Sequence, residues 1–154
     1  MNKERELIVK KIRNGTVIDH IPVGKGVLVL RILGIGSDVE YYHAQKVESK
    51  KLGRKDIVKI VDRYPTKEEV DKISLIAPTA TINYIREWEI VEKYKVKLPS
   101  QIEGFIKCPN RFCITNNERG MKPKFNVLFE GKILLQCLYC DGLIKEEEIE
   151  KYVK

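Results

Sequence analysis

The sequence predicts an α+β chain in two parts, an N-terminal α/β sandwich and a small C-terminal all-β unit. Three observations carry that prediction. Up to about Lys97, β-branched runs bounded by Gly and Pro alternate with two stretches of helical character. The polar segment Lys97-Leu-Pro-Ser-Gln-Ile-Glu103 then reads as a linker. The four cysteines of the chain all follow it, as two close pairs. The boundary therefore falls after Lys97, dividing residues 1–97 from 98–154.

Each element has its own signal. Gly15-Thr-Val-Ile-Asp-His-Ile-Pro22 is β-branched and closed by Gly and Pro, hence a strand. Val23 to Leu33 is an apolar run whose length and exit at Gly34 favour a helix. Val39 to Val47 and Lys55 to Asp62 read as strands. Thr66-Lys-Glu-Glu69 is a capping box, in which the Thr hydroxyl takes the Glu69 N–H and the Glu69 carboxylate reaches back. Val70, Ile73 and Ile76/Ala77 continue one helical face, and Pro78 closes it. Ala80 to Ile85 and Trp88 to Val96 are strands again. The order β-α-β-β-α-β-β predicts two helices on one face of an antiparallel-rich sheet, a ferredoxin-like arrangement.

Beyond the linker, Phe125, Val127 and Phe129 alternate along Lys124 to Phe129, Glu130-Gly131 turns the chain, and Lys132 to Gln136 leads to the second cysteine pair. The pairs read Cys108-Pro-Asn-Arg-Phe-Cys113 and Cys137-Leu-Tyr-Cys140. Two short turns that each offer two thiolates, joined by a long insert, suit one tetrahedral Zn²⁺. A pair of disulfides or an iron site is the alternative on spacing alone. A unit this small cannot bury a self-sufficient core, so a metal must contribute folding free energy. The expectation is a rubredoxin-like zinc domain whose closed four-thiolate site is structural and not catalytic.

Composition bounds the function classes. The chain has 154 residues, 43% hydrophobic and 33% charged, the balance of a soluble globular protein. No apolar run approaches the ~18 residues that span a bilayer, and no apolar leader opens the sequence, so a cytoplasmic location is expected. A net charge of +7 permits a polyanionic partner such as nucleic acid or a nucleoside triphosphate; a Lys/Glu-rich surface is the alternative, since charges are mixed, as in Lys67-Glu68-Glu69 and Glu146-Glu147-Glu148.

Catalytic signatures are missing. There is no GxSxG, HExxH, GxGxxG or Walker loop. Gly24-Lys25-Gly26 and Gly34-Ile35-Gly36 read as turns and caps, and His43 as a packing or surface residue. Asp19-His20 is the one acid/base-like pair, and it lacks a partner. Asp19, His20, Lys59, Asn83 and Lys93 lie on four predicted strands; converged, they would offer cations to phosphates and a carboxylate to hydroxyls.

Five motifs occur in order: Gly15-Thr-Val-Ile-Asp-His-Ile-Pro22, Gly53-Arg-Lys-Asp-Ile-Val-Lys-Ile60, Ala77-Pro-Thr-Ala-Thr-Ile-Asn83, Cys108-Pro-Asn-x-x-Cys113 and Cys137-x-Tyr-Cys140. Together they resemble the regulatory chain of aspartate carbamoyltransferase over about residues 7 to 142. The resemblance implies a non-catalytic subunit of pyrimidine nucleotide biosynthesis, with an N-terminal domain that binds ATP, CTP or UTP and a zinc domain that contacts the catalytic chain. It implies two catalytic trimers bridged by three dimers of this chain, each dimer formed through the N-terminal domain, with no membrane and no nucleic acid as partner. Ile12 and the backbone near Trp88 would hold the base, and Asp19 and Lys59 the ribose. His20 and Lys93 would meet the phosphates, with Val9, Lys10, Asn83, Ile85 and Ile90 lining the pocket. Asn110 and Tyr139 match contacts to the catalytic chain. Trp88, Lys10 and Phe112 depart from the familiar pattern, the last replacing a polar residue. The rival readings are a zinc-ribbon nucleic-acid binder, suggested by the basic charge, and an enzyme built on Asp19-His20.

Overall fold

The computed structural model describes residues 11–154 and divides the chain between Lys97 and Leu98 into two compact units. Val9 and Lys10 lie outside the described residues. The first unit runs β1 (Gly15–Ile21), α1 (Gly26–Ile32), β2 (Tyr41–Ser49), β3 (Gly53–Val61), α2 (Lys67–Ile76), β4 (Thr81–Arg86) and β5 (Glu89–Lys95). Its sheet has the order β2-β3-β1-β4-β5, and every neighbouring pair is antiparallel. The expected element order holds throughout, with β2 displaced two residues toward the C-terminus.

Period-two alternation decides which sheet face is covered. Ile18, Val58, Ile60 and Ile82 are fully buried, as are Val29 of α1 and Ile73 of α2. α1 packs against both α2 and β3, so the helices share that face. Burying each such side chain contributes about 1.5–3 kcal/mol. The capping box at the head of α2 is present: Thr66 Oγ1 accepts from the Glu69 N–H at 3.2 Å, and Glu69 Oε1 accepts from the Thr66 N–H at 3.0 Å.

Asp56 shares the apolar face of Val58 and Ile60 and is almost wholly buried. Its carboxylate accepts from the Gly24 and Gly26 N–H groups at 3.2 Å and from the Lys46 N–H at 3.1 Å. His43 Nε2 lies 3.3 Å away. One carboxylate thus ties the entry of α1 to a bulge in β2, and it gives His43 a buried partner. A side chain at Gly26 would overlap the His43 ring and Asp56, which accounts for the glycine.

The second unit runs β6 (Gln101–Glu103), a one-turn helix α3 (Ile114–Asn117), β7 (Lys124–Phe129), β8 (Ile133–Cys137), β9 (Leu143–Lys145) and a 3₁₀ segment Glu146–Tyr152. Its antiparallel sheet has the order β6-β7-β8-β9. The segment read as linker through Glu103 is a strand at its end. Ile102 pairs with Phe125 and is buried, a long-range pairing that local composition does not reveal. Phe125, Ile133, Leu135, Ile144 and Ile149 form a core, and an Ile106–Val153 bridge joins the end of the chain to the segment before Cys108. Among the described residues, no helix is long and apolar enough to cross a membrane.

Candidate ligand cavity and metal centre

The face of the first sheet opposite the helices carries the polar strand residues in register. Lys59 of β3 pairs with Val17 of β1, Val17 with Asn83 of β4, and Asn83 with Lys93 of β5. One row across four strands therefore places two lysines either side of an amide. Above this row lies a cavity of about 410 Å³, within the size range of small-molecule sites. It is lined by Ile12, Asp19, His20, Lys59, Asn83, Ile85, Trp88, Ile90 and Lys93, with Lys11, Val17, Ile57 and Thr81 besides.

Strict alternation would send Asp19 and His20 to opposite faces. A β-bulge between Ile18 and Ile21 prevents this, with His20 at φ 56°. Both side chains then reach the cavity, and Ile21 returns to the core. The bulge is fastened by three bonds. The His20 N–H donates to Asp19 Oδ1 at 2.6 Å, Thr79 Oγ1 donates to the His20 carbonyl at 2.7 Å, and His20 Nδ1 meets Thr81 Oγ1 at 3.1 Å. Asn83 is buried, and its Nδ2 donates to the Val17 carbonyl at 3.2 Å.

Asp19 Oδ1 also accepts from Lys55 Nζ at 2.8 Å. The Lys55 side chain is only 7% exposed, so this is a buried cation with a single acidic partner among the described ion pairs. The bonds from the His20 N–H and from Lys55 both fall on Oδ1, which leaves Oδ2 as the outer carboxylate oxygen among the described residues, while Lys11, Lys59 and Lys93 add cations to the lining. Burial pushes the His20 imidazole below its ordinary value; Asp19 opposes that, and Lys55, Lys51 and Lys93 reinforce it. The balance favours the neutral ring.

Trp88 is set by a two-residue hairpin turn, Glu87-Trp88, with Arg86 paired to Glu89. Both turn residues have positive φ, 48° and 72°, the geometry that favours glycine or asparagine. Non-local bonds hold it. The Glu87 N–H donates to Asn14 Oδ1 at 3.1 Å, the Trp88 N–H to the Arg13 carbonyl at 2.9 Å, and Arg13 forks onto the Glu87 carboxylate. Strain is thus stored at two cavity residues, His20 and Trp88, as is common at ligand sites. The cavity can hold a flat apolar group against Ile12, Ile85 and Ile90 and an anion against the lysines.

In the second unit, Cys108, Cys113, Cys137 and Cys140 bring their Sγ atoms within 4.8 Å of one another. Cys108 and Cys140 are 3.5 Å apart and Cys113 and Cys137 3.8 Å. None is in a disulfide. A tetrahedron of metal–sulfur bonds of ~2.3 Å has edges of about 3.8 Å, so the cluster fits one metal ion. Its loops are tightly bonded. Asn116 Nδ2 donates to the carbonyls of Cys108 and Asn110, Asn117 Nδ2 donates to those of Arg111 and Cys113, and the Gly142 N–H points at Cys140 Sγ. Burial pushes the Cys108 and Cys137 thiols up. Burial also opposes ionisation of Cys140, yet the Gly142 N–H and the Asn110 side chain bring it down to about 7. Four thiolates this close need a cation between them.

Around the cluster, Phe112 is 77% exposed, and Ile114, Leu138, Tyr139 and Leu143 are also exposed. Asn110 is engaged within its own turn, accepting from the Phe112 N–H at 3.0 Å. Sequence reasoning missed Lys55, the buried partner of Asp19, and Thr81, the partner of His20. Position parity was the available signal for Lys55, since it shares the cavity face with Ile57 and Lys59.

A cavity on an open sheet face and a separate four-thiol centre that fits a metal ion define a chain of two units, each with its own candidate site. Comparison with known proteins makes the class specific. The family model described as aspartate carbamoyltransferase regulatory chain, allosteric domain, matches residues 7–97, and that described as the metal binding domain matches residues 100–150. A relative named aspartate carbamoyltransferase regulatory chain from Saccharolobus solfataricus is 50% identical over 99% of this chain and 97% of its own length. One of the same name from Pyrococcus furiosus is 51% identical over 94% and 96%. The chain belongs to the aspartate carbamoyltransferase regulatory chain family, as a regulatory and not a catalytic subunit.

Proposed function

We propose that this chain binds nucleoside triphosphates in the sheet-face cavity and controls an aspartate carbamoyltransferase catalytic chain through the metal unit. One observation carries the reading: nine of the expected residues, drawn from the N-terminal segment, four strands and the β4–β5 turn, line a single cavity. Ile12, Ile85, Ile90 and the Trp88 backbone suit a base, and Asp19 Oδ2 suits ribose hydroxyls beside Lys59. Lys93 and His20 suit phosphates. The family resemblance adds Val9 and Lys10, which lie outside the described residues. The ligands are ATP, CTP and UTP, and control requires that each bind one quaternary state better than another.

The metal is Zn²⁺, one per chain, held by the four cysteines. Sulfur donors in a closed tetrahedron favour it and leave no position for substrate. Its role is to fix the knuckles that carry Asn110, Phe112 and Tyr139 toward the catalytic chain. The assembly has two catalytic trimers joined by three dimers of this chain, each formed through the N-terminal unit, in the cytoplasm.

Calorimetry tests the ligand assignment. Asp19→Ala should weaken CTP and ATP binding more than inorganic triphosphate, because only the nucleotides have ribose hydroxyls. Equal, unchanged affinities for all three would remove the proposed site.

A further inference from the structure

Different contacts set the polar and the apolar parts of the sheet-face cavity. Lys59, Asn83 and Lys93 stand in a row fixed by the register of β3, β1, β4 and β5. One step toward the β4–β5 turn, Ile85 pairs with Ile90. Ile12 and Trp88 complete the apolar part, and neither belongs to a strand. Sheet register therefore does not place them.

Contacts between the segment before β1 and the β4–β5 turn do. The Trp88 N–H donates to the Arg13 carbonyl at 2.9 Å, and the Glu87 N–H donates to Asn14 Oδ1 at 3.1 Å. Arg13 Nε and Nη2 donate to the two Glu87 carboxylate oxygens at 3.0 and 3.2 Å. The fork is open to solvent, with the Arg13 and Glu87 side chains 61% and 68% exposed. Exposed pairs contribute little to global stability, so the fork is no fastener of the core. An Asn-Gly turn would adopt positive φ at both positions unaided. Glu87 and Trp88 adopt it at 48° and 72°, and bonds from residues 13 and 14 hold it there. The turn and the segment that bears Ile12 are thereby tied into one piece.

We propose that Arg13, Asn14 and Glu87 are positioning residues, a clasp that fixes the spacing of Ile12 and the Trp88 backbone and so sets affinity for the base of the ligand. None of the three lines the cavity. A slot already ordered before the ligand arrives needs no ordering on binding. Opening the clasp therefore weakens ligands that use the slot and spares those that meet only the lysine row. The proposal rests on the ligand assignment above.

Calorimetry on the whole chain, with CTP and with inorganic triphosphate, separates the two parts. Arg13→Gln should weaken CTP about two- to fivefold, the range an exposed fork allows. Arg13→Gln/Asn14→Ala should extend the loss to about tenfold. Triphosphate affinity should stay that of wild type in both. Glu87→Asn loses the fork but keeps a residue that tolerates positive φ, so it should match Arg13→Gln without loss of thermal stability. The swap Arg13→Glu/Glu87→Arg should restore most of the CTP affinity. Unchanged CTP affinity in Arg13→Gln/Asn14→Ala would overturn the proposal. So would an equal loss for CTP and triphosphate, which would make the clasp a general support of the sheet. A wild-type chain that binds triphosphate and CTP equally, or neither, would overturn the ligand assignment itself, and this proposal with it.

Discussion

The two units solve the same problem with different means. In the first, helices α1 and α2 cover one sheet face, and aliphatic side chains from three inner strands and both helices are fully buried. Its stability comes from apolar area, so the uncovered face is free to carry lysines, a carboxylate and a strained bulge. In the second, a four-stranded sheet with one helical turn has only Phe125 and a few aliphatics fully buried, and three of its four cysteines are buried with them. The metal centre there takes the place of a second layer. The difference teaches where function can sit: the core-rich unit leaves an open sheet face with a cavity, and the cysteine-centred unit presents an exposed apolar rim.

The comparison can be broken most forcefully at the metal. Cys137 is fully buried, and structural zinc sites contribute about 10–16 kcal/mol of apparent binding free energy. Cys137→Ser, or a strong chelator, should unfold residues 98–154 and leave residues 1–97 folded. Near-ultraviolet circular dichroism and metal content report the two outcomes. An intact second unit without metal would remove the contrast.

The converse experiment is smaller. Ile18→Ala leaves a cavity under the first sheet and should cost about 2–5 kcal/mol. The loss should appear in the denaturant transition of the first unit, with metal content unchanged. Smaller again are the ligand contacts. Lys59→Ala and Lys93→Ala each remove a cation from a polyanion, and loss of a charged hydrogen bond is worth about 1.5–3 kcal/mol. Calorimetry should therefore give roughly ten- to a hundredfold weaker CTP binding in each variant, with no change in folding.

The smallest effect is in pH. His20 sits below its ordinary value of 6.5 because of burial and the nearby lysines. A bound triphosphate adds negative charge, which raises the imidazole pKa, so binding takes up a proton. Affinity should rise as pH falls from 8 toward about 6 and should decline as pH rises through the pKa of the complex. His20→Gln should flatten that profile by a few-fold.

Much of this was legible in the sequence for identifiable reasons. Alternation in Lys55 to Asp62 put Lys59 opposite Val58 and Ile60, and the capping box at Thr66 fixed the start of α2. Paired cysteines announced the centre. What stayed hidden depends on contacts distant in sequence. The bulge that turns Asp19 and His20 to one face needs Thr79 and Thr81, and the Glu87-Trp88 turn needs Arg13 and Asn14. Nothing local marks Gln101–Glu103 as a strand, because its partner Phe125 lies beyond both knuckle residues Cys108 and Cys113. Asp56 could have been flagged, since a carboxylate on the face of Val58 and Ile60 must find donors.

The central claim is that the first unit receives an effector and the second delivers its influence to a catalytic chain. It is tested most directly by assaying carbamoyl transfer by the catalytic trimer alone, by this chain alone, and by the two combined, with and without ATP, CTP and UTP. The account predicts an active trimer that ignores nucleotides, an inactive isolated chain, and a combined assembly whose rate changes with nucleotide and loses that response when the metal is stripped. A trimer that already responds to nucleotides without this chain, or an assembly whose response survives loss of all four cysteines, would contradict it.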